Sequence, residues 1–446
     1  MRYRRRPTRS SSATLLVTFV LGVGIGFSLC YAILEIGRSS DVPAQTSPAG
    51  TEVSPPAAVP ATSDTPDQVG NTAALTTKPA APPEEATQTP DEHAWAARHL
   101  VLTINGADGA AAWEEYRPGG VLVTNAAARD AALGLELPDT WIAARYDHTL
   151  LAALIDQPVA SPRALADDVD PEGARARARS LGEALAAAGI DVVFGPPLDV
   201  YQPDVSPPAL AERTYADTVE AVSAYTSAVL DGLINGGVLP IAGHYPGLGH
   251  AHTRTRGLLR IDEADLEALA RTMTPFVEAI EQDVPGLLVG RVAVPIIEDG
   301  GALVPAPFSE RLVRLLLRER RGYTGVVLAG DITPIASFAG GVPQAVVAAL
   351  AAGCDAVVLA QADAAALAAV CGAVAGAIEQ GRLERAELDA AADRLATLAR
   401  ESEPMEAPSE PEIADPSDEA SADKAVSAEA APDEAAPDEA APDEAA

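Results

Sequence analysis

Eight short runs of aliphatic and β-branched residues recur through the middle of this chain, most of them followed by a longer Ala- and Leu-rich stretch. The runs are HLVLTI (99–104), GGVLVTN (119–125), TWIAAR (140–145), DVVFGPP (191–197), LPIAGH (239–244), GLLVGR (286–291), GVVLAGD (325–331) and AVVLAQ (356–361). Helical stretches between them include 173–188, 216–235, 262–282, 308–320 and 344–352. Nearly unbroken apolar strands must be covered on both faces, and parallel strands need helical crossovers. The pattern therefore predicts an α/β fold, a single (β/α)₈ TIM-type barrel over residues 93–400. An open doubly wound sheet is the alternative, but no glycine-rich phosphate loop follows the first strand to favour it.

The two ends read differently. Arg2, Arg4, Arg5, Arg6 and Arg9 make residues 1–9 a basic segment. From Ser10 to Leu34 no charged residue occurs; as a helix that run would be about 37 Å long, enough to cross a hydrocarbon core of about 30 Å. Residues 10–36 are thus expected to be a single-pass transmembrane anchor. The arginines before it keep the N-terminus cytoplasmic and the barrel outside, in the periplasm or at the cell surface. A cleaved signal peptide is a rival reading, although the apolar run is long for one and no clear Ala-x-Ala site follows. A lipoprotein reading at Cys30 is weaker, because the bulky Leu29 precedes the cysteine. Residues 37–92 are rich in Pro, Ala, Thr and Ser and suit an extended tether. Residues 401–446 end in three tandem Ala-Pro-Asp-Glu-Ala repeats and are expected to be a disordered tail.

The formal net charge is −33, and sixteen acidic side chains against Lys424 place about −15 of it in that tail. Such a charge repels duplex DNA, so no nucleic-acid role is expected. Cys354 and Cys371 lie in Ala- and Val-rich contexts and read as small core hydrophobes rather than a disulfide. No cofactor or metal is expected.

Four stretches resemble one known family. LGEALAAAGIDVVFGPPLDV (181–200) is similar to a segment ending Asn-Phe-Ala-Pro-x-Leu-Asp-Val, and GGVLPIAGHYPGLGH (236–250) to a strand and loop containing Lys-His-Phe-Pro-Gly-His-Gly. PFSERLVRLLLRERRGYTGVVLAGDI (307–332) is similar to the helix and strand that carry a catalytic aspartate, and AVVAALAAGCDAVVLA (345–360) to the final helix and strand. Together they resemble the N-terminal barrel of glycoside hydrolase family 3, above all the single-domain bacterial β-N-acetylglucosaminidases (β-N-acetylhexosaminidases).

The resemblance implies a retaining mechanism, in which an Asp attacks the anomeric carbon and a second group protonates the leaving oxygen. Read without a gap, Gly330 occupies the nucleophile position and Asp331 follows it. A one-residue slip turns a strand side chain to the other face, so Asp331 can serve only if a bulge realigns it. The implied acid/base histidine and its aspartate fall on Arg256 and Arg254, and arginine does not exchange protons near neutrality. His250 and His252 lie nearby, and His252 is the candidate acid/base of an active enzyme. Among sugar-gripping positions, Arg213 and His244 match, Gly243 replaces a lysine, Arg145 replaces an aspartate, and Asp199 matches with either a binding or a loop-building role. Arg145, Arg213, Arg254, Arg256 and Arg291 are expected to rim one mouth, pairing with Asp147 and Asp199 or holding an anionic glycan.

The expected function is a membrane-anchored, non-hydrolytic binder of glycan or peptidoglycan fragments such as muropeptides. The alternatives are an active β-N-acetylhexosaminidase using Asp331, and an envelope scaffold.

Overall fold

The computed structural model describes residues 90–401, apart from 106–112, 136, 138, 256, 263–265 and 361. The basic segment, the expected anchor, most of the linker and nearly all of the acidic tail lie outside the described residues. Among the described residues no helix is long and apolar enough to cross a membrane.

The strands are β1 (Leu100–Ile104), β2 (Gly120–Val123), β3 (Trp141–Arg145), β4 (Val192–Pro197), β5 (Leu239–Tyr245), β6 (Thr253–Thr255), β7 (Leu258–Arg260), β8 (Gly286–Val289), β9 (Val292–Ala293), β10 (Val326–Ala329) and β11 (Ala356–Leu359). Eight of them close a parallel barrel in the order β1-β2-β3-β4-β5-β8-β10-β11. This is the (β/α)₈ TIM-type fold that the alternating runs predict, and each expected strand is present. The remaining three, β6, β7 and β9, form a small separate sheet that the sequence reading does not anticipate.

Side chains alternate between two environments along each barrel strand. Val101, Leu122, Trp141, Ala143, Phe194, Ile241, Leu288, Val326, Leu328 and Val358 pack together inside the barrel. Leu102, Val123, Ala144, Val193, Leu287, Val327, Ala329 and Val357 belong to the larger cluster between strands and helices. This two-residue period fixes which residues beyond each strand end continue toward the barrel mouth.

The helices explain themselves locally. Asp147, Ser161, Asp170, Thr218 and Asp363 accept backbone N–H groups at helix starts, and prolines occupy the first turns at Pro162 and Pro171. Helices Pro171–Ala187 and Val219–Asn235 approach closely at Gly232, where an added Cβ would lie 2.5 Å from the Arg175 carbonyl oxygen. The single helix expected over 262–282 is instead two, Leu266–Thr272 and Thr274–Glu281. Pro275 has no N–H to continue the ladder, and the Thr274 hydroxyl donates to the Arg271 carbonyl in its place at 2.8 Å. Cys354 and Cys371 are buried and free, as core hydrophobes should be. Burial pushes the Cys371 thiol up to about 12.

At the barrel's N-terminal end, His99 is fully buried and its Nδ1 lies 2.9 Å from the Asp355 carbonyl oxygen. A carbonyl only accepts, so Nδ1 carries the proton, and Nε2 has no hydrogen-bond partner. Burial holds this imidazole below its ordinary value of 6.5. The unfolded chain therefore takes up the proton first as pH falls, and stability drops below about pH 6.5 by up to about 1.4 kcal/mol per unit until the folded group also titrates. Chemical denaturation at pH 7.5 and 5.5 should show a smaller acid loss in His99→Gln than in the parent chain; equal losses would remove His99 as the cause.

Candidate functional site

Ligand sites of this fold lie at the C-terminal ends of the strands. Trp141 and Ala143 point into the barrel, so Arg145 at the end of β3 continues toward the mouth, where it is exposed. The same period on β10 puts Val326 and Leu328 inside and Val327 and Ala329 outside. Continued past the strand end, this period puts Gly330 on the mouth side, where an added Cβ would lie 3.8 Å from the inward Leu288 Cδ1, and Asp331 on the other phase. No register shift interrupts the pairing of Val326–Ala329 with β8 or β11, so β10 itself holds no bulge. Asp331 Oδ1 accepts the Thr333 N–H at 3.0 Å, and its Oδ2 lies 3.9 Å from Arg291 Nη1.

Asp199 organises the other side of the mouth. It follows β4, is 1% exposed, and accepts from the Leu248 N–H at 2.7 Å and from His244 Nδ1 at 2.8 Å. The carboxylate ties down the loop after β5 and orients the imidazole, which is the loop-building part of the expectation. With Nδ1 donating, Nε2 of the 39% exposed His244 has no hydrogen-bond partner among the described residues. The space for this ring depends on Gly290, where an added Cβ would lie 2.9 Å from His244 Cβ.

Of the rim arginines, Arg291 pairs with Asp331, but Asp147 and Asp199 are not the arginine partners expected here. Asp147 caps helix His148–Ile155 by accepting from Thr149 and Leu150, and Asp199 is taken by His244. Among the described residues neither Arg145 nor Arg213 has an ion-pair partner. Arg213 ends the 3₁₀ turn Pro208–Arg213 and is exposed. The Tyr215 and Tyr146 hydroxyls, 3.4 Å apart, hold this segment against the end of β3.

The β6-β7-β9 sheet belongs to the loops at the same end. His252 precedes β6; its Nδ1 lies 3.2 Å from the His250 carbonyl and its Nε2 2.9 Å from Asp262. Both nitrogens face acceptors, so this histidine joins the hairpin to the next segment rather than presenting a free nitrogen to a sugar. The His252 hydrogen bond, aided by Arg260, holds the Asp262 carboxyl below its usual range. Arg254 lies in β6 opposite Leu259, and Arg256 falls outside the described residues. Asp262 was absent from the sequence reading, although Gly257 between two short apolar-polar runs is a hairpin signal that would have paired its neighbourhood with His252. Glu298, also unread, is half-buried against the Ser309 hydroxyl, and burial raises its carboxyl.

A cavity of about 480 Å³ opens elsewhere, lined by Val284, Pro285, Tyr323, Gly325, Arg394 and Leu398 where β8 and β10 begin. It is at the opposite end of the barrel from these groups. Among the described residues no cluster of three or more His, Cys, Asp or Glu could hold a metal.

Residues 157–398 match the glycosyl hydrolase family 3 N terminal domain. The chain belongs to this family. A β-hexosaminidase of Xanthomonas euvesicatoria pv. vesicatoria is 34% identical over 196 residues, 43% of this chain and 57% of the relative. One from Methylobacillus flagellatus is 31% identical over 198 residues, 43% of this chain and 55% of the relative. The chain therefore spans little more than half the length of these curated relatives. Among solved structures, a family 3 β-N-acetylglucosaminidase from Paenibacillus shares the fold with a TM-score of 0.60 at 24% identity, covering 70% of this chain and 62% of that one. The M. tuberculosis protein LpqI has a TM-score of 0.60 at 27% identity, covering 69% and 93%. The barrel is thus that of a β-N-acetylhexosaminidase-like member of family 3.

Proposed function

We propose that this family 3 barrel binds a β-N-acetylhexosamine-containing glycan at its mouth and does not hydrolyse it. The observation that carries this reading is the phase of β10: continued one residue past the strand, its inward side falls on Gly330, whose added Cβ would lie 3.8 Å from the inward Leu288, and not on Asp331. A retaining glycosidase needs a carboxylate there to attack the anomeric carbon, and glycine has none. The binding half of the reading rests on the Asp199–His244 pair, which holds an imidazole nitrogen free for a sugar hydroxyl. The substrate class is borrowed from the relatives, which are named β-hexosaminidases.

Those same names favour a second reading, a working β-hexosaminidase with Asp331 as nucleophile. Turnover of an aryl N-acetyl-β-glucosaminide by the full chain separates the two. The binding reading expects none; turnover abolished by Asp331→Asn would establish the second. Failure of any glycan to bind would leave the envelope-scaffold reading.

The location is part of the same proposal. The five arginines before residues 10–36 support an uncleaved anchor with the barrel outside the cytoplasm. A reporter fused after Arg400 should be active only if it functions beyond the cytoplasmic membrane, and activity of a strictly cytoplasmic reporter there would contradict this.

A further inference from the structure

We propose that the barrel mouth selects a sugar bearing a carboxylate, and that Arg145 is the residue that contacts it. This rests on the glycan-binding reading above. Arg145 lies on the inward phase of β3 and is exposed at the mouth. Neither nearby carboxylate pairs with it: Asp147 caps the next helix through Oδ1, and both oxygens of the buried Asp199 are used by His244 and Leu248, so among the described residues Arg145 has no ion-pair partner. On the opposite wall, Gly290 and Gly330 offer no charge, and Asp331 is turned to Thr333 and Arg291. The Tyr146–Tyr215 contact brings Arg213, likewise without an ion-pair partner among the described residues, into the neighbouring segment. A guanidinium without an ion-pair partner, at the same end of the barrel as a free imidazole nitrogen, suits a planar anion held by paired N–H donors. The net charge of −33 works against anion approach, so a short-range contact must provide the preference.

N-acetylglucosamine and N-acetylmuramic acid form a matched pair, since the second adds only a lactyl ether with its carboxylate. Titration of each into the full chain should show the acid binding roughly 10- to 100-fold tighter, the range of one charge-assisted contact. The difference should shrink at high salt, close in Arg145→Gln, narrow in Arg213→Gln and persist in part in Arg145→Lys. Free lactate should not compete, because the sugar ring holds the carboxylate in place. Equal affinity for the two sugars would overturn the proposal, as would a preference that survives Arg145→Gln, or competition by lactate alone. Failure of both sugars to bind would remove the glycan-binding reading itself, a separate result from equal binding.

Discussion

Substituting Gly330 by aspartate should convert a chain with no glycosidase turnover into one that releases roughly one equivalent of phenolate from a dinitrophenyl N-acetyl-β-glucosaminide. Gly330 faces the mouth, and an added Cβ would lie 3.4 Å from the Val289 carbonyl oxygen and 3.8 Å from Leu288 Cδ1, ordinary contacts. Gly330 is not among the positive-φ positions, so an L side chain is accommodated. The new carboxylate can attack the anomeric carbon while dinitrophenolate departs with the electrons of the broken bond, needing no proton from the protein. Hydrolysis of the resulting ester needs a base to activate water, and the position that the family resemblance assigns to it is Arg256. The ester should accumulate, adding the mass of one N-acetylhexosaminyl group. Absence of any burst in a folded Gly330→Asp chain would mean that Gly330 does not occupy the nucleophile position.

The largest stability effect is expected at the other end of the barrel. Asp355, 1% exposed, accepts from Arg318 Nη2 at 2.6 Å, Arg394 Nη2 at 2.7 Å and the Val327 N–H at 2.8 Å. These contacts join helices Arg311–Arg320 and Arg385–Glu401 to β10 and β11. Asp355→Ala leaves two partly buried guanidinium groups and a backbone donor without their acceptor, a loss of about 3–5 kcal/mol. For a domain of this size that lowers Tm by roughly 5–8 °C. Replacing Arg318 and Arg394 by methionine together with Asp355→Leu should recover part of the loss, because no charge is then stranded. A loss below about 1 kcal/mol in Asp355→Ala would show that the arginines find other partners.

The barrel was legible because each strand is a self-contained apolar run, with burial on both faces written into a handful of adjacent residues. Gly330 was legible for a related reason: its phase depends only on counting along one strand. The β6-β7-β9 sheet was not, since β9 is just Val292–Ala293 and its partner lies thirty residues away. The work of Asp199 was equally hidden, because it is defined by His244 and Leu248, more than forty residues on. Of the two readings open for the arginines, pairing with Asp147 does not form, because capping competes locally for a carboxylate and two N–H groups of the next helix turn take Oδ1. His252 read as a candidate acid/base from its position alone. Its pairing with Asp262 through both the hairpin and the following segment appears only once the small sheet is formed.

One solution measurement bears directly on the central claim. Ligand-observed NMR of a chitooligosaccharide mixed with the full chain reports contact and cleavage in the same tube. The account predicts magnetisation transfer from protein to sugar, weakened by His244→Ala, with the oligosaccharide intact after prolonged incubation. Release of N-acetylglucosamine by the parent chain, lost in Asp331→Asn, would contradict it.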